Sequence, residues 1–212
     1  MRRTIATILL MAGIIACRPT ASPEAVREWQ SRTLFTCCNI HYEGQSANDA
    51  NYAVGSTLPF GSPVTIVTMT GDSMTFTSGS THLTLVHSYG TSQESSQQYF
   101  SKILVPTDPH TRFAAFPKDV QSAISDARVE KGMTKEQVIM SLGYPPTHRT
   151  ASTDLNTWVY WSNRWVTYEV HFGEDGKVVN LVGNAPTHNQ PITAATPIPA
   201  PPVHTIHRKG KK

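Results

Sequence analysis

Gly132–Pro146, GMTKEQVIMSLGYPP, holds a helix start, an apolar face and a hard stop. Thr134 and Gln137 stand in the S/T-x-x-E/Q relation, in which each side chain satisfies an orphan backbone N–H of the first turn. Val138, Met140 and Leu142, with Ile139, supply a buried side. Gly143 suits a left-handed C-terminal position, and Pro145 and Pro146 forbid continuation. The stretch presents no nucleophile and no base. Isolated helices below about 12 residues are marginal in water. This one therefore has to dock on something.

The partners are adjacent in sequence. Upstream, PKDVQSAISDARVEKGM predicts a helix that Pro117 starts and Gly132 ends, with Val120, Ala123, Ile124 and Ala127 on one apolar face. Downstream, TWVYWSNRWVTYEVHFGEDGKVVNLVG is divided by the turn sequences SNR and EDG. That division predicts a meander of three strands, about Thr157–Trp161, Trp165–Phe172 and Lys177–Val182. Strand alternation puts Val166, Tyr168, Val170 and Phe172 on one face and Trp165, Thr167, Glu169 and His171 on the other. Two helices on the apolar face make an α+β sandwich. Trp158, Tyr160, Trp161 and Trp165 are more aromatic surface than one core face needs; packing is the favoured reading of the four, and a ligand or partner surface is the alternative.

RVEKGMTKEQVIMSLGYPP, NTWVYW and YEVHFGEDGKVVNLV together resemble the SmpA/OmlA (BamE-like) family of outer-membrane lipoproteins. The likeness runs from about Val120 to Val182. It is carried by Gly132, Met133, Thr134, Gln137, Val138, Leu142, Gly143 and Pro145, and by Trp158 and Tyr160 in the family's W-x-Y strand. It implies a two-helix, three-strand fold, attachment to the outer membrane facing the periplasm, and a non-catalytic role beside the machinery that folds β-barrel proteins. The chain departs from the family by lacking its QGNYL-type segment and by carrying a β unit of similar size ahead of the matching domain.

That β unit spans about 34–91, where TLFTCCNI, NYAVG, LPFGSPVTIVTMT, DSMTFTSG and THLTLVHSY read as short strands between turns. Val64, Ile66, Val67 and Met69 fit one strand, and Leu83 and Leu85 share a face of another. The LPFGSPVTIV segment loosely resembles the strand entry of bacterial SH3-like barrels, which implies a barrel or meander able to bind peptide or cell-wall stems. Tyr42, Tyr52 and Tyr89 are too scattered in sequence to define a groove. Residues 92–115 read as a polar helix followed by a proline-broken linker.

The N-terminus, MRRTIATILLMAGIIAC, has the charged and apolar regions of a secretory leader and falls short of the roughly 20 apolar residues of a spanning helix. Ile14, Ile15, Ala16 and Cys17 resemble the bacterial lipobox, which implies a signal peptide over 1–16 and acylation of Cys17. The alternative is an ordinary cut near Ala16 or Ala21. Residues 17–33 then form a tether, with Ser22 as N-cap and Pro23 opening a short helix. Arg18 in place of Asp resembles lipoproteins sorted on to the outer membrane.

Of the 18 Lys and Arg, Arg2 and Arg3 fall in the leader and Arg208, Lys209, Lys211 and Lys212 at the far end, leaving 12 against 15 acids. The body is mildly acidic and has no basic stripe, which excludes a nucleic-acid-binding surface. Cys37 and Cys38 admit three readings: one buried and one exposed thiol, a vicinal or intermolecular disulfide, or a metal site with His41. His41, His82, His87, His110 and His171 are scattered singly, and GxSxG, HExxH and phosphate-loop patterns are missing. The expected function is a non-catalytic outer-membrane scaffold with no cofactor, held in lipid through Cys17 and partnered by β-barrel assembly components. The alternatives are a peptidoglycan- or peptide-binding module and, third, a Cys38/His41 hydrolase or thiol exchanger. The matching domain closes at about 116–183, and 184–212 reads as a Pro-rich basic tail with too little apolar surface to fold.

Overall fold

A computed structural model describes residues 23–187 of the chain. The leader, Cys17, Ser22 and residues 188–212 lie outside the described residues. In chain order the elements are α1 (Pro23–Gln30), β1 (Leu34–Thr36), β2 (Ile40–Tyr42), β3 (Ser46–Asn48), β4 (Ser56–Leu58), β5 (Pro63–Met69), β6 (Ser73–Ser78), β7 (Thr81–Val86), α2 (Ser96–Ile103), β8 (Leu104–Val105), α3 (His110–Phe113), α4 (Lys118–Ser125), α5 (Lys135–Leu142), β9 (Thr157–Asn163), β10 (Val166–Phe172) and β11 (Val178–Val182). The architecture is α+β: a curled mixed sheet ordered β3-β7-β6-β5-β1-β8, a three-stranded antiparallel sheet ordered β11-β10-β9, and a β2-β4 ribbon.

In the first sheet, β5 to β7 alternate as their sequence predicts, burying Val64 and Ile66, then Met74 and Phe76, then Leu83 and Leu85. A register shift between Ile66 and Thr68 turns Met69 inward and leaves Val67 exposed, as a bulge does. Two segments read as links join this core instead. Trp29 of α1 is buried, and Gln30 Nε2 donates to the Ile66 carbonyl at 3.1 Å. Tyr99, Phe100 and Ile103 of α2 are buried with Leu104, and β8 covers the outer edge of β1. Ser95 and Gln98 cap α2 reciprocally. An unpaired edge is a liability, so a short strand that pairs β1 has a stabilising role. β3 pairs β7 in parallel, with Asn48 opposite Val86.

In the second unit, Thr134 and Gln137 form the expected capping box at the start of α5. α4 stops at Ser125 and not at Gly132. Ala127 takes φ +51°, its N–H donates to the Ile124 carbonyl, and Arg128 N–H donates to the Ala123 carbonyl at 2.8 Å. This is the bond pair that usually ends a helix on glycine, closed here by an alanine. Gly132 instead opens an exchange with β11, donating to Val178 O while Val178 N donates to Met133 O. α5 is buried on nearly every side, Gln137 and Ser141 included, with the Ser141 hydroxyl donating to Arg128 O and the Met140 and Ser141 carbonyls accepting from Asn39 of the first unit.

The meander register sets Tyr168 opposite Tyr160 and Val170 opposite Trp158. Trp158 and Tyr160 are 0% and 2% exposed and belong to the core. As a partner surface they are corrected: their alternation on β9 turns them into the second core, where Trp158 meets Phe172 of β10 with centroids 4.6 Å apart. The expected tail boundary also moves. Ala185 is buried, Pro186 O accepts from Val129 N, and Ser162 Oγ donates to Asn184 O. No helix among the described residues is long and apolar enough to cross a membrane.

Candidate functional site at the junction of the two sheets

The two units meet through two asparagines, Asn39 buried and Asn51 half-buried. Asn39 N–H donates to Met140 O, its Nδ2 donates to Ile124 O at 2.7 Å and Ser141 O at 3.0 Å, and its Oδ1 accepts from Phe60 N. Asn51, at φ +43°, a left-handed conformation that asparagine tolerates, donates from Nδ2 to Leu142 O and Asn39 O and accepts from His41 N. These bonds satisfy the C-terminal carbonyls of α5 that a helix cannot satisfy itself. Gly143, at φ +81° and ψ 178°, adopts a backbone available essentially to glycine, and a Cβ there would lie 2.7 Å from Asn51 Nδ2. Tyr160 donates its hydroxyl to Gly143 O at 3.0 Å. Phe60, from the first unit, is buried in the second core.

Cys37 and Cys38, just before Asn39, are joined to each other by a disulfide. Cys38 is buried, and Cys37 N–H donates to Ile103 O. Bonded in this way, Cys38 presents no thiol to His41. His41 itself is enclosed, with Nδ1 3.2 Å from Thr57 Oγ1. Burial lowers its pKa to about 4, so it stays neutral. Among the described residues, no three of His, Cys, Asp and Glu are grouped to hold a metal ion, the proposed Cys37, Cys38 and His41 set included.

Four rings gather on the surface above this clamp. Tyr52 lies edge-on to Tyr89 at 6.3 Å and to Trp161 at 6.2 Å, His148 stacks on Trp161 at 6.3 Å and leans on Tyr89 at 5.5 Å, and the Arg149 guanidinium sits 5.4 Å from the Trp161 ring. Tyr52 and Tyr89 come from the first unit, His148 and Trp161 from the second. Ala53 N–H donates to Trp161 O, tying the Tyr52 loop to the free edge of β9. Burial, then the hydrogen bond to Tyr89, raise the Tyr52 pKa, and burial lowers that of His148, so both rings are neutral. Tyr89 is 48% exposed and Trp165, at the β9–β10 turn, 75%.

Beneath the cluster, Asp49 accepts from the backbone N–H groups of Ser88, Tyr89 and Gly90 and so fixes the loop that carries Tyr89. His87 is stacked on Tyr99, with Nε2 3.5 Å from Asp49 Oδ2 and Nδ1 3.3 Å from Ser96 Oγ. The imidazole is fully enclosed between the carboxylate and the hydroxyl. On the other side of the 144–153 loop lies a cleft of about 240 Å³ between that loop and α2, walled by Tyr144, Lys102 and Glu94.

Of the residues that the sequence proposed as a partner surface, Trp165 is exposed at its turn and Trp161 half-buried. Trp161 meets Tyr52 and His148. The clamp asparagines, Asp49 and His148 escaped notice, because nothing in their local sequence separates them from ordinary turn residues. Compared with known family models, with curated proteins and with solved structures, the chain matches none.

Proposed function

We propose that this chain is a non-catalytic, lipid-anchored scaffold of the outer membrane, facing the periplasm and serving as an accessory factor in outer-membrane protein assembly or envelope integrity. The observation that carries it is the half-exposed four-ring cluster built jointly by two units locked through Asn39 and Asn51. An aromatic patch edged by the Arg149 guanidinium suits protein recognition, since Tyr, Trp and Arg are the side chains enriched at interface hot spots. The lipobox at Cys17 supports anchoring, and the likeness of about Val120–Val182 to the SmpA/OmlA family supports the class. In this reading the second unit is a BamE-like domain and the first an SH3-like elaboration that adds Tyr52 and Tyr89 to its surface.

The test places a photo-crosslinking residue at Tyr89, at Trp165 and, as a control, at the exposed Val67. In intact cells, Tyr89 is expected to form an adduct with a β-barrel assembly component and Val67 none. Absence of any such adduct from both Tyr89 and Trp165 contradicts the proposal.

A further inference from the structure

The cleft between α2 and the 144–153 loop is not used by the scaffold surface, and its chemistry is specific enough to name a ligand class. Its volume of about 240 Å³ lies below the roughly 300–1,000 Å³ of drug-sized sites, so it admits one ring-sized unit. Tyr144 supplies an aromatic wall, with Lys102 Nζ 5.1 Å from its centroid. Lys102 is paired to Glu94 at 2.6 Å, with Lys102 29% and Glu94 13% exposed as side chains. Lys102 and Glu94 are the charged residues of the lining, and they neutralise each other. That leaves no net charge to recruit a phosphate, a carboxylate or a polyamine. What remains is an ammonium and a carboxylate held side by side, the Gln93 amide, and the hydroxyls of Thr147 and Thr153, set against Tyr144 and Ala151. Donors and acceptors at the rim of an apolar wall match a ring with hydroxyls around its edge and C–H groups on its face. The opposite wall is fixed from behind, because Thr150 Oγ1 accepts from Val159 N and Lys135 Nζ donates to the carbonyls of Thr153 and Asp154.

We propose that this cleft binds one pyranose unit of a neutral glycan, with Lys102 and Glu94 holding its hydroxyls and Tyr144 contacting its C–H face. The periplasm-facing reading makes the wall glycan the expected source, but the chemistry is tested in solution and stands or falls separately from partner capture.

The probe is N,N′,N″-triacetylchitotriose, titrated into the full-length chain and followed by amide chemical shifts, with a free wall stem peptide in a second arm. Shifts are expected at Ala151, Ser152 and Thr153 with the sugar. Tyr144→Ala is expected to weaken binding by roughly tenfold, the worth of one lost aromatic contact. Glu94→Gln, which keeps the shape of the side chain, should weaken it comparably while the remaining spectrum stays in place. No shift at the cleft with the sugar overturns the proposal. So does binding of the stem peptide alone, or sugar binding that both variants leave unchanged.

Discussion

Asn39 commits its backbone N–H and Nδ2 to carbonyls of the second unit, its Oδ1 to Phe60 N, and its own carbonyl to Asn51 Nδ2 within the first unit. Nothing in TLFTCCNIHYEG announces this, since an asparagine in a turn-rich stretch ordinarily satisfies its own neighbours. His41, two residues on, has a consequence in solution. Its folded-state pKa, about 4, lies below the ordinary 6.5. Below pH 6.5 the unfolded chain takes up a proton that the folded chain refuses, so stability is full above that pH and is lost as pH falls toward 4. The loss amounts to about 3 kcal/mol at most. Urea denaturation of wild type and His41→Gln across that window measures it. The wild type is expected to lose stability more steeply, and parallel curves would show that His41 is not the group responsible.

At the scale of elements, α5 was the most legible part of the chain. Its capping box, Gly143 and the Pro145–Pro146 stop appear as written, because each acts within a few residues of itself. Thr134→Ala removes the cap and is expected to cost about 1 kcal/mol of stability. A shift in the urea midpoint with an unchanged slope checks it, and an unshifted midpoint would show that packing alone starts the helix. The end of α4 was less legible, because an alanine took the left-handed position that the pattern assigned to Gly132. The meeting of Tyr52 and Tyr89 was not legible at all. β3 pairs β7 in parallel with Asn48 opposite Val86, so the chain four residues beyond one strand runs beside the chain three residues beyond the other. Parallel pairing joins segments distant in sequence and leaves no local pattern to read. The same pairing brings Asp49 against the 88–90 backbone and so holds Tyr89 in the cluster.

Over the whole molecule, one core lies against the mixed sheet and another against the three-stranded sheet, and the sequence gives no sign that the two are welded together. The weld is polar and buried at Asn39, part-buried at Asn51: carbonyls of α5 are satisfied by asparagines of the other unit, and losing Asn39 strands buried carbonyls at about 1–3 kcal/mol each. A binding surface shared between two units keeps its shape only if they open together. Native-state hydrogen exchange tests this most directly, by comparing the amides of Met74 and Phe76 in β6 with those of Tyr168 and Val170 in β10. In the wild type both sets are expected to exchange through one opening of the same free energy. In Asn39→Ala both should weaken and separate into two values. Wild-type values that already differ by more than about 1 kcal/mol, with no response to Asn39→Ala, would contradict the single body on which the shared surface depends.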